Sequence, residues 1–282
     1  MSFADKETQN ENSEKLFLSS YNIADYERPS IATDIAVFSM FDEESCSHRK
    51  DAESKLHVLL IKRGEHPFKN KWALPGGFLR PDETVEECAL REIKEETNLE
   101  PISLLPIGVF SKPDRDPRGR IVSNAFASVV NAETVKISGG GDAIKAQWFE
   151  VDFKSLGGNR FSVGFINGDE KIRVELLENE RKFGKSQFEI QKDTGLAFDH
   201  AEIIATALLV MRSEAERFEI TFGFLPERFT LAAFQKVQET LLGNTLLTAN
   251  FRRKTSSLVE ETDEFTEGAG HRPARLFKRK LI

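Results

Sequence analysis

Glu92, Glu95 and Glu96 stand at positions i, i+3 and i+4 in the stretch TVEECALREIKEETNL. On an α-helix that spacing gathers three carboxylates within roughly 100° of one side. Like charges so placed repel one another unless something neutralises them, and Lys94 would face away. A divalent cation is the natural counter-charge. Hard ions such as Mg2+ take oxygen ligands, keep several waters and commonly join protein carboxylates to substrate phosphates. Gly76 and Gly77 lie just upstream, where the absence of a side chain would let a backbone carbonyl approach the ion or the phosphates. Spacing alone does not separate this reading from an ordinary solvated acidic helix face.

The helix has boundary signals of its own. Thr84 followed three residues later by Glu87 makes a capping box, so the helix is expected to begin at Val85. Ala89, Leu90 and Ile93 occupy the adjoining sector and are expected to pack on a sheet. Candidate strands are Thr33 to Met40, Leu56 to Lys62, a short FLR after the glycines, Ile102 to Phe110, Ile121 to Val130 and Ala146 to Val151. The charged stretch after Met40, FDEESCSHRKDAES, reads as a loop. FSVGFI and KIRVELL alternate around Asn167-Gly168, which marks a hairpin. DHAEIIATALLVMRSEAERF reads as a second helix on the sheet, with Asp199 as its N-cap.

With those elements in place the spacing takes on a resemblance. The pattern G-x5-E-x7-R-E-U-x-E-E-x-G-U, with U aliphatic, is that of the Nudix hydrolases, and Gly77, Glu83, Arg91, Glu92, Ile93, Glu95, Glu96 and Leu99 match it at every spacing. Asn98 stands where that family has glycine; it follows the helix, and asparagine tolerates the left-handed backbone expected there. The resemblance implies an α+β fold, an α/β/α sandwich around a mixed sheet. It implies Mg2+ or Mn2+ as cofactor on Glu92, Glu95 and Glu96, which would be catalytic, with Gly77 beside the metal and Arg91 paired to Glu83 to hold the loop. It implies water attack on the pyrophosphate of a nucleoside diphosphate linked to another group, the metal lowering the pKa of the attacking water. The general base is left open between a box glutamate and a carboxylate on a neighbouring loop.

Segments from Tyr26 to Phe38, Arg63 to Phe78 and Asp114 to Ser123 are similar to a Nudix branch associated with ADP-ribose. Arg115, Arg118 and Arg120, around Pro117 and Gly119, would form a basic loop suited to a diphosphate, and Arg63 is a further candidate for substrate binding. His66, before a proline, reads as a loop residue.

The last quarter of the chain has another texture. Thr230 caps LAAFQKVQETLLG, ended by Gly243; Asn250 would cap a second helix from Asn250 to Glu261; a Gly-containing basic hairpin follows. This resembles the winged helix appended to ADP-ribose-responsive Nudix transcription factors. The resemblance implies a recognition helix carrying Arg252, Arg253 and Lys254, and a wing carrying Arg272, Arg275, Lys278 and Arg279.

Whole-chain properties bound these readings. A net charge of -7 and a pI near 5.5 exclude a generally basic nucleic-acid binder but allow a local patch. Two cysteines, Cys46 and Cys88, are too few for a disulfide framework. No signal peptide or membrane span is legible, so a cytoplasmic protein is expected. The expected organisation is a polar leader over 1–27, a Nudix domain over 28–218 with an insertion at about 157–195, and a winged-helix domain over 219–282. Because every acidic ligand position of the box is filled, the sequence favours an enzyme, and the resemblance to the ADP-ribose branch implies hydrolysis of a nucleoside diphosphate sugar, ADP-ribose to AMP and ribose 5-phosphate. The alternative is an ADP-ribose-responsive DNA-binding regulator with a Nudix sensor. The resemblance also implies a homodimer.

Overall fold

The computed structural model describes residues 3–42, 54–100, 103–131, 143–182, 185–193, 195–266 and 273–280. The loop expected after Met40, with Cys46, falls largely outside the described residues.

The centre is strand β1 (Ser30–Asp42), whose residues alternate between two faces of the sheet and are apolar on both. Ile35 and Val37 join the cluster under helix α2 (Val85–Thr97), while Ala36 and Phe38 join the cluster under helix α3 (His200–Ala215). β1 runs parallel to β6 (Ile121–Val129) and antiparallel to β2 (Ser54–Arg63) and β4 (Gly76–Phe78). β3 (Trp72–Ala73) adds to β2, and β5 (Leu105–Phe110) adds to β6. A mixed sheet between helices is the architecture expected. The short strand lies two residues earlier than FLR, because Gly76, Gly77 and Phe78 pair with Asp34, Thr33 and Ala32.

The insertion enlarges this sheet. β7 (Ala143–Gly157), β8 (Arg160–Asn167), β9 (Glu170–Lys182) and β10 (Lys185–Asp193) pair antiparallel in succession, beyond the two-stranded hairpin read from the sequence. Val163, Phe165, Ile172, Val174, Leu176 and Phe188 belong to the same buried cluster as α3, so the added strands lengthen the core. Burying each large side chain there contributes about 1.5–3 kcal/mol.

The leader is not featureless, as it forms helix α1 (Phe3–Ser20). Its Leu16, Phe17 and Leu18 are exposed. No described helix is long and apolar enough to cross a membrane.

After α4 (Glu219–Phe222), helix α5 (Leu231–Leu242) starts at the Thr230 cap and stops at Gly243, which takes the left-handed conformation. α6 corrects the expected helix. It spans Thr248–Thr255, with Leu247 rather than Asn250 at its N-cap, and Val259–Phe265 is strand β11, paired with β12 (Arg275–Arg279). The sequence pattern continues the helix through the Val-Glu-Glu run, but its carboxylates and Thr262 are drawn into cross-strand bonds with the wing. Phe234 is fully buried against the rings of Phe218, Phe222, Phe229 and Phe251. These phenylalanines belong to the same cluster as Ala36 and Phe38, so the core runs without a break across the boundary expected at 218/219.

Candidate functional site

The capping box forms as read. The Thr84 side chain accepts from Glu87 N at 3.2 Å and Thr84 N donates to Glu87 Oε2 at 2.8 Å, fixing where α2 begins. At its other end Asn98 has φ 59° and donates to Lys94 O at 3.0 Å. Asn98→Gly is therefore expected to raise stability by about 0.5–1 kcal/mol, measured by urea unfolding, since glycine adopts this conformation without strain.

Between these ends, Arg91 organises the acids. Its Nε and Nη2 donate to the two oxygens of Glu83 at 2.9 and 2.6 Å, its Nη2 reaches Phe78 O at 3.2 Å, and its Nη1 reaches Glu92 at 2.6 Å and Glu95 at 3.2 Å. The hydrogen bonds from Arg91 bring the Glu83 carboxyl down to about 2. Arg80 adds a contact to Glu95 at 3.4 Å. Glu96 is buried and accepts from Gly76 N at 2.9 Å. Burial pushes the Cys88 thiol beneath this loop up to about 11, as befits an inert packing residue.

The donor set suits a hard cation, because it is made of carboxylate oxygens beside bare glycine backbone. A Cβ on Gly77 would lie 2.2 Å from Glu92 Oε1, so only glycine leaves that carboxylate its place. The three glutamates share one side of α2 as expected, yet among the described residues no three acidic, histidine or cysteine side chains converge at metal-binding distance. Glu92 and Glu95 instead hold Arg91, and an ion would have to exchange with its guanidinium.

The loop after β5 resolves into three different arginines. Arg115 is buried, donating from Nε and Nη2 to both oxygens of Asp199 at 2.9 and 2.7 Å and from Nη2 to Asp34 at 3.0 Å. Its guanidinium faces inward, towards carboxylates rather than an incoming diphosphate. Asp199 consequently makes no side-chain cap on α3, contrary to expectation. Arg120 braces the loop by donating to Ser111 O at 2.7 Å. Arg118 forms a bidentate pair with Asp116 while its guanidinium lies 5.0 Å from the Phe78 ring centre and 5.6 Å from that of Phe198. Arg63 lies 5.0 Å from the Phe198 ring on another approach, and its Nε donates to Pro67 O. His66 is exposed on its loop.

Residues that the sequence reading passed over complete the site. Asp34 accepts from Ser123 Oγ at 2.6 Å and faces His200 Nε2 at 3.3 Å. His200 Nδ1 accepts from Leu74 N at 2.8 Å, which assigns the proton to Nε2 and ties α3 to the segment leading into Gly76. Burial alone would raise the Asp34 carboxyl, but His200, Arg115 and Ser123 together hold it far below the usual carboxylate range. An aspartate in the middle of an apolar strand was a legible signal that a buried partner must exist. Phe68 and Phe198, with φ of 61° and 52°, gave no such signal.

The C-terminal bases also divide. Arg252, Arg253 and Lys254 are exposed on α6 and make no ion pair among the described residues. In the wing, Arg275 pairs with Glu261, Arg279 with Glu219, and Lys278 with Glu260 at 3.2 Å. Arg272 lies outside the described residues.

Comparison with known proteins matches residues 47–155 to the NUDIX domain and residues 221–278 to the NrtR DNA-binding winged helix domain. The chain is 29% identical over 276 residues to the ADPR responsive transcriptional repressor NtrR of Acinetobacter baylyi, covering 96% of this chain and 90% of that one. It is 49% identical over 96 residues to the ADP-ribose pyrophosphatase of Methanocaldococcus jannaschii, a match spanning 34% of this chain and 55% of that enzyme's length. A MutT/nudix family protein of Enterococcus faecalis superposes over 99% of both chains with TM-score 0.72 and 28% identity. The chain therefore joins a Nudix domain to a C-terminal winged-helix domain of the NrtR DNA-binding type.

Proposed function

We propose that the chain is a DNA-binding regulator whose Nudix domain senses ADP-ribose or a closely related nucleoside diphosphate sugar. The observation that carries this reading is the exposed basic triplet of α6, which makes no ion pair among the described residues, on a winged helix whose core is continuous with that of the Nudix domain. A physical route for response exists along α3. Its first residues hold Arg115 and Leu74 beside the box, and its end, Ala215 O, accepts from Gln238 Nε2 of α5 at 2.7 Å. A ligand that moves the loops at one end of that rigid helix acts on the winged helix at the other. Similarity over nearly the whole chain to the Acinetobacter repressor supports the same reading. The homodimer implied by the resemblance would present two copies of α6 to neighbouring half-sites.

A second reading rests on the complete box: Glu92, Glu95 and Glu96 are all present, and the glycine cradle beside Glu92 is intact. On this reading the protein also hydrolyses ADP-ribose, with Mg2+ or Mn2+ on those carboxylates supplying charge neutralisation and an activated water. The pyrophosphatase of Methanocaldococcus lends support over the Nudix segment alone.

One experiment separates the two. Fluorescence anisotropy with duplexes tiled from the DNA upstream of the protein's own coding region is expected to find salt-sensitive, sequence-specific binding that ADP-ribose changes at least fivefold. Binding that is equal for all duplexes, or indifferent to ADP-ribose, removes the regulator reading. Product analysis of the same ADP-ribose samples with Mg2+ or Mn2+ tests hydrolysis, and turnover that survives in Glu95→Gln would remove the role given to that carboxylate.

A further inference from the structure

Arg212, in the last turn of α3, is half-buried, and its guanidinium lies 5.3 Å from the ring centre of Phe153 on β7. Stacking satisfies the face of a guanidinium but not the N–H donors in its plane. Among the described residues no carboxylate pairs with Arg212 and no oxygen accepts from it. Burial accordingly lowers its pKa from the ordinary arginine value, with no acid raising it again. Arg115, deeper still, is met by two aspartates. A charge taken out of water without a counter-charge costs stability, so Arg212 calls for a partner that the described chain does not supply.

Arg212 lines a cavity of about 550 Å3 between the α3 face of the Nudix sheet and α5 of the winged helix. That is the size of a small-molecule site. It lies on the side of the sheet opposite the box, because Val151, Phe153 and Met211 belong to the α3 cluster whereas α2 packs on the other. The acids along the cavity are already engaged. Glu150 pairs with Lys55 at 2.9 Å, Asp152 pairs with Lys154 at 2.6 Å, and Glu239 accepts from Gln235 Nε2 at 2.9 Å and from Leu246 N at 2.7 Å. The bond to Leu246 also fixes the turn after Gly243, which sets the exposed Asn244 and Thr245 on the rim. Their amide and hydroxyl add neutral donors to the guanidinium. Val151 and Phe153 are only half-buried, so part of the wall is apolar.

We propose that this cavity is a second ligand site, for a small organic oxyanion, a phosphate or carboxylate on an apolar body, whose oxygens meet Arg212 where no protein acid does. A guanidinium presents paired donors that match either oxyanion, and the apolar wall suits a carbon skeleton better than a bare ion. The site stands apart from the ADP-ribose reading, since none of its residues belongs to the box or its loops. An occupant touches both domains, with β2, β7 and α3 on one side and α5 on the other. Thr240 Oγ1 of α5 donates to Ser54 O of β2 at 3.3 Å, so a contact that seats the winged helix forms one edge of the site.

Titration calorimetry on the full chain without added metal tests the site, with phenyl phosphate, benzoate and the uncharged phenol as probes. Wild type is expected to bind at least one of the two anions, and the tighter of them tells whether phosphate or carboxylate is the group recognised. Phenol is expected to bind more weakly by about tenfold or more. Arg212→Met keeps an apolar side chain against Phe153 and removes the charge; it is expected to weaken the anion by about 10- to 100-fold, the loss of charge-assisted hydrogen bonds. Without anion its melting temperature is expected to equal or exceed that of wild type, an outcome that a guanidinium serving only to hold the fold does not allow. Arg212→Lys, which keeps the charge but not the fork, covers the case in which the methionine variant fails to fold, and is expected to lose roughly threefold or more. The proposal is overturned if neither anion binds, if phenol binds as well as the anions, or if either variant, folded, binds the anion as wild type does. Lower melting temperatures for both variants in the absence of anion would equally assign Arg212 to packing and remove the site.

Discussion

Arg115→Ala is expected to lower the stability of the folded chain by about 3–5 kcal/mol, because it leaves two buried carboxylates without their common partner. The side chains of Asp34 and Asp199 are 11% and 8% exposed, and that of Arg115 is 4% exposed, so water cannot substitute for the guanidinium. A typical domain is stable by only about 5–15 kcal/mol, so such a loss threatens folding itself. Arg115→Lys should recover only part of it. A lysine presents one point charge where Arg115 places separate donors on Asp199 and Asp34. Urea unfolding of the two variants and wild type at pH 7 measures the difference, and a loss below about 1 kcal/mol for Arg115→Ala would show that the network is dispensable.

The same network sets a pH dependence with a definite sign. The Asp34 carboxyl is depressed in the folded state, so its contribution is complete above the unfolded aspartate value of about 3.9 and disappears as pH falls towards the folded value. Wild type should therefore lose stability on acidification below about pH 4. In Arg115→Ala the Asp34 carboxyl keeps His200 and Ser123 but loses Arg115, so less of its depression survives and acidification costs the variant less than wild type. The gap between variant and wild type should accordingly narrow as pH falls below about 4.

That network also shows where the sequence was readable and where it was not. Thr84, Glu87 and Asn98 act within a few residues of themselves, and the limits of α2 follow from them directly. The pairing of Arg91 with Glu83 is nearly as local, spanning one loop and two helical turns. Asp199 looks locally like a helix cap, and only the arrival of Arg115 from 84 positions away reassigns it. Similarly, LVEE continues the polar pattern of α6 on paper, while cross-strand partners such as Lys278 and Arg275 turn it into a strand. The edge strand of the enlarged sheet, β10, is not legible in the sequence although Phe188 and Ile190 alternate correctly, because its polar residues outnumber its apolar ones. The ring cluster of Phe68, Phe78 and Phe198 is illegible for a deeper reason: its phenylalanines come from three separated segments, and no spacing rule relates them.

The largest effect on function should come from α6. Replacing Arg252, Arg253 and Lys254 together by alanine removes three exposed cations from a helix whose packing depends on other residues. Phe251 is buried against Phe234, and Thr255 donates to Phe251 O at 2.9 Å, so the fold should survive. If the three bases neutralise DNA phosphates, the slope of log affinity against log salt should become shallower by up to about 2.7, at roughly 0.9 per contact. At moderate salt that corresponds to a loss of about 100-fold or more. The wing provides the internal comparison, since Lys278 already faces Glu260 and Lys278→Ala should change the slope by much less than one contact. ADP-ribose binding by the triple variant should equal that of wild type, because the Nudix loops lie elsewhere. Anisotropy titrations from 50 to 200 mM salt measure all of these quantities. An unchanged slope in the triple variant would mean that α6 is not the face that meets DNA, whereas equal losses from α6 and Lys278 would mean that the attraction is diffuse charge and not a docked helix.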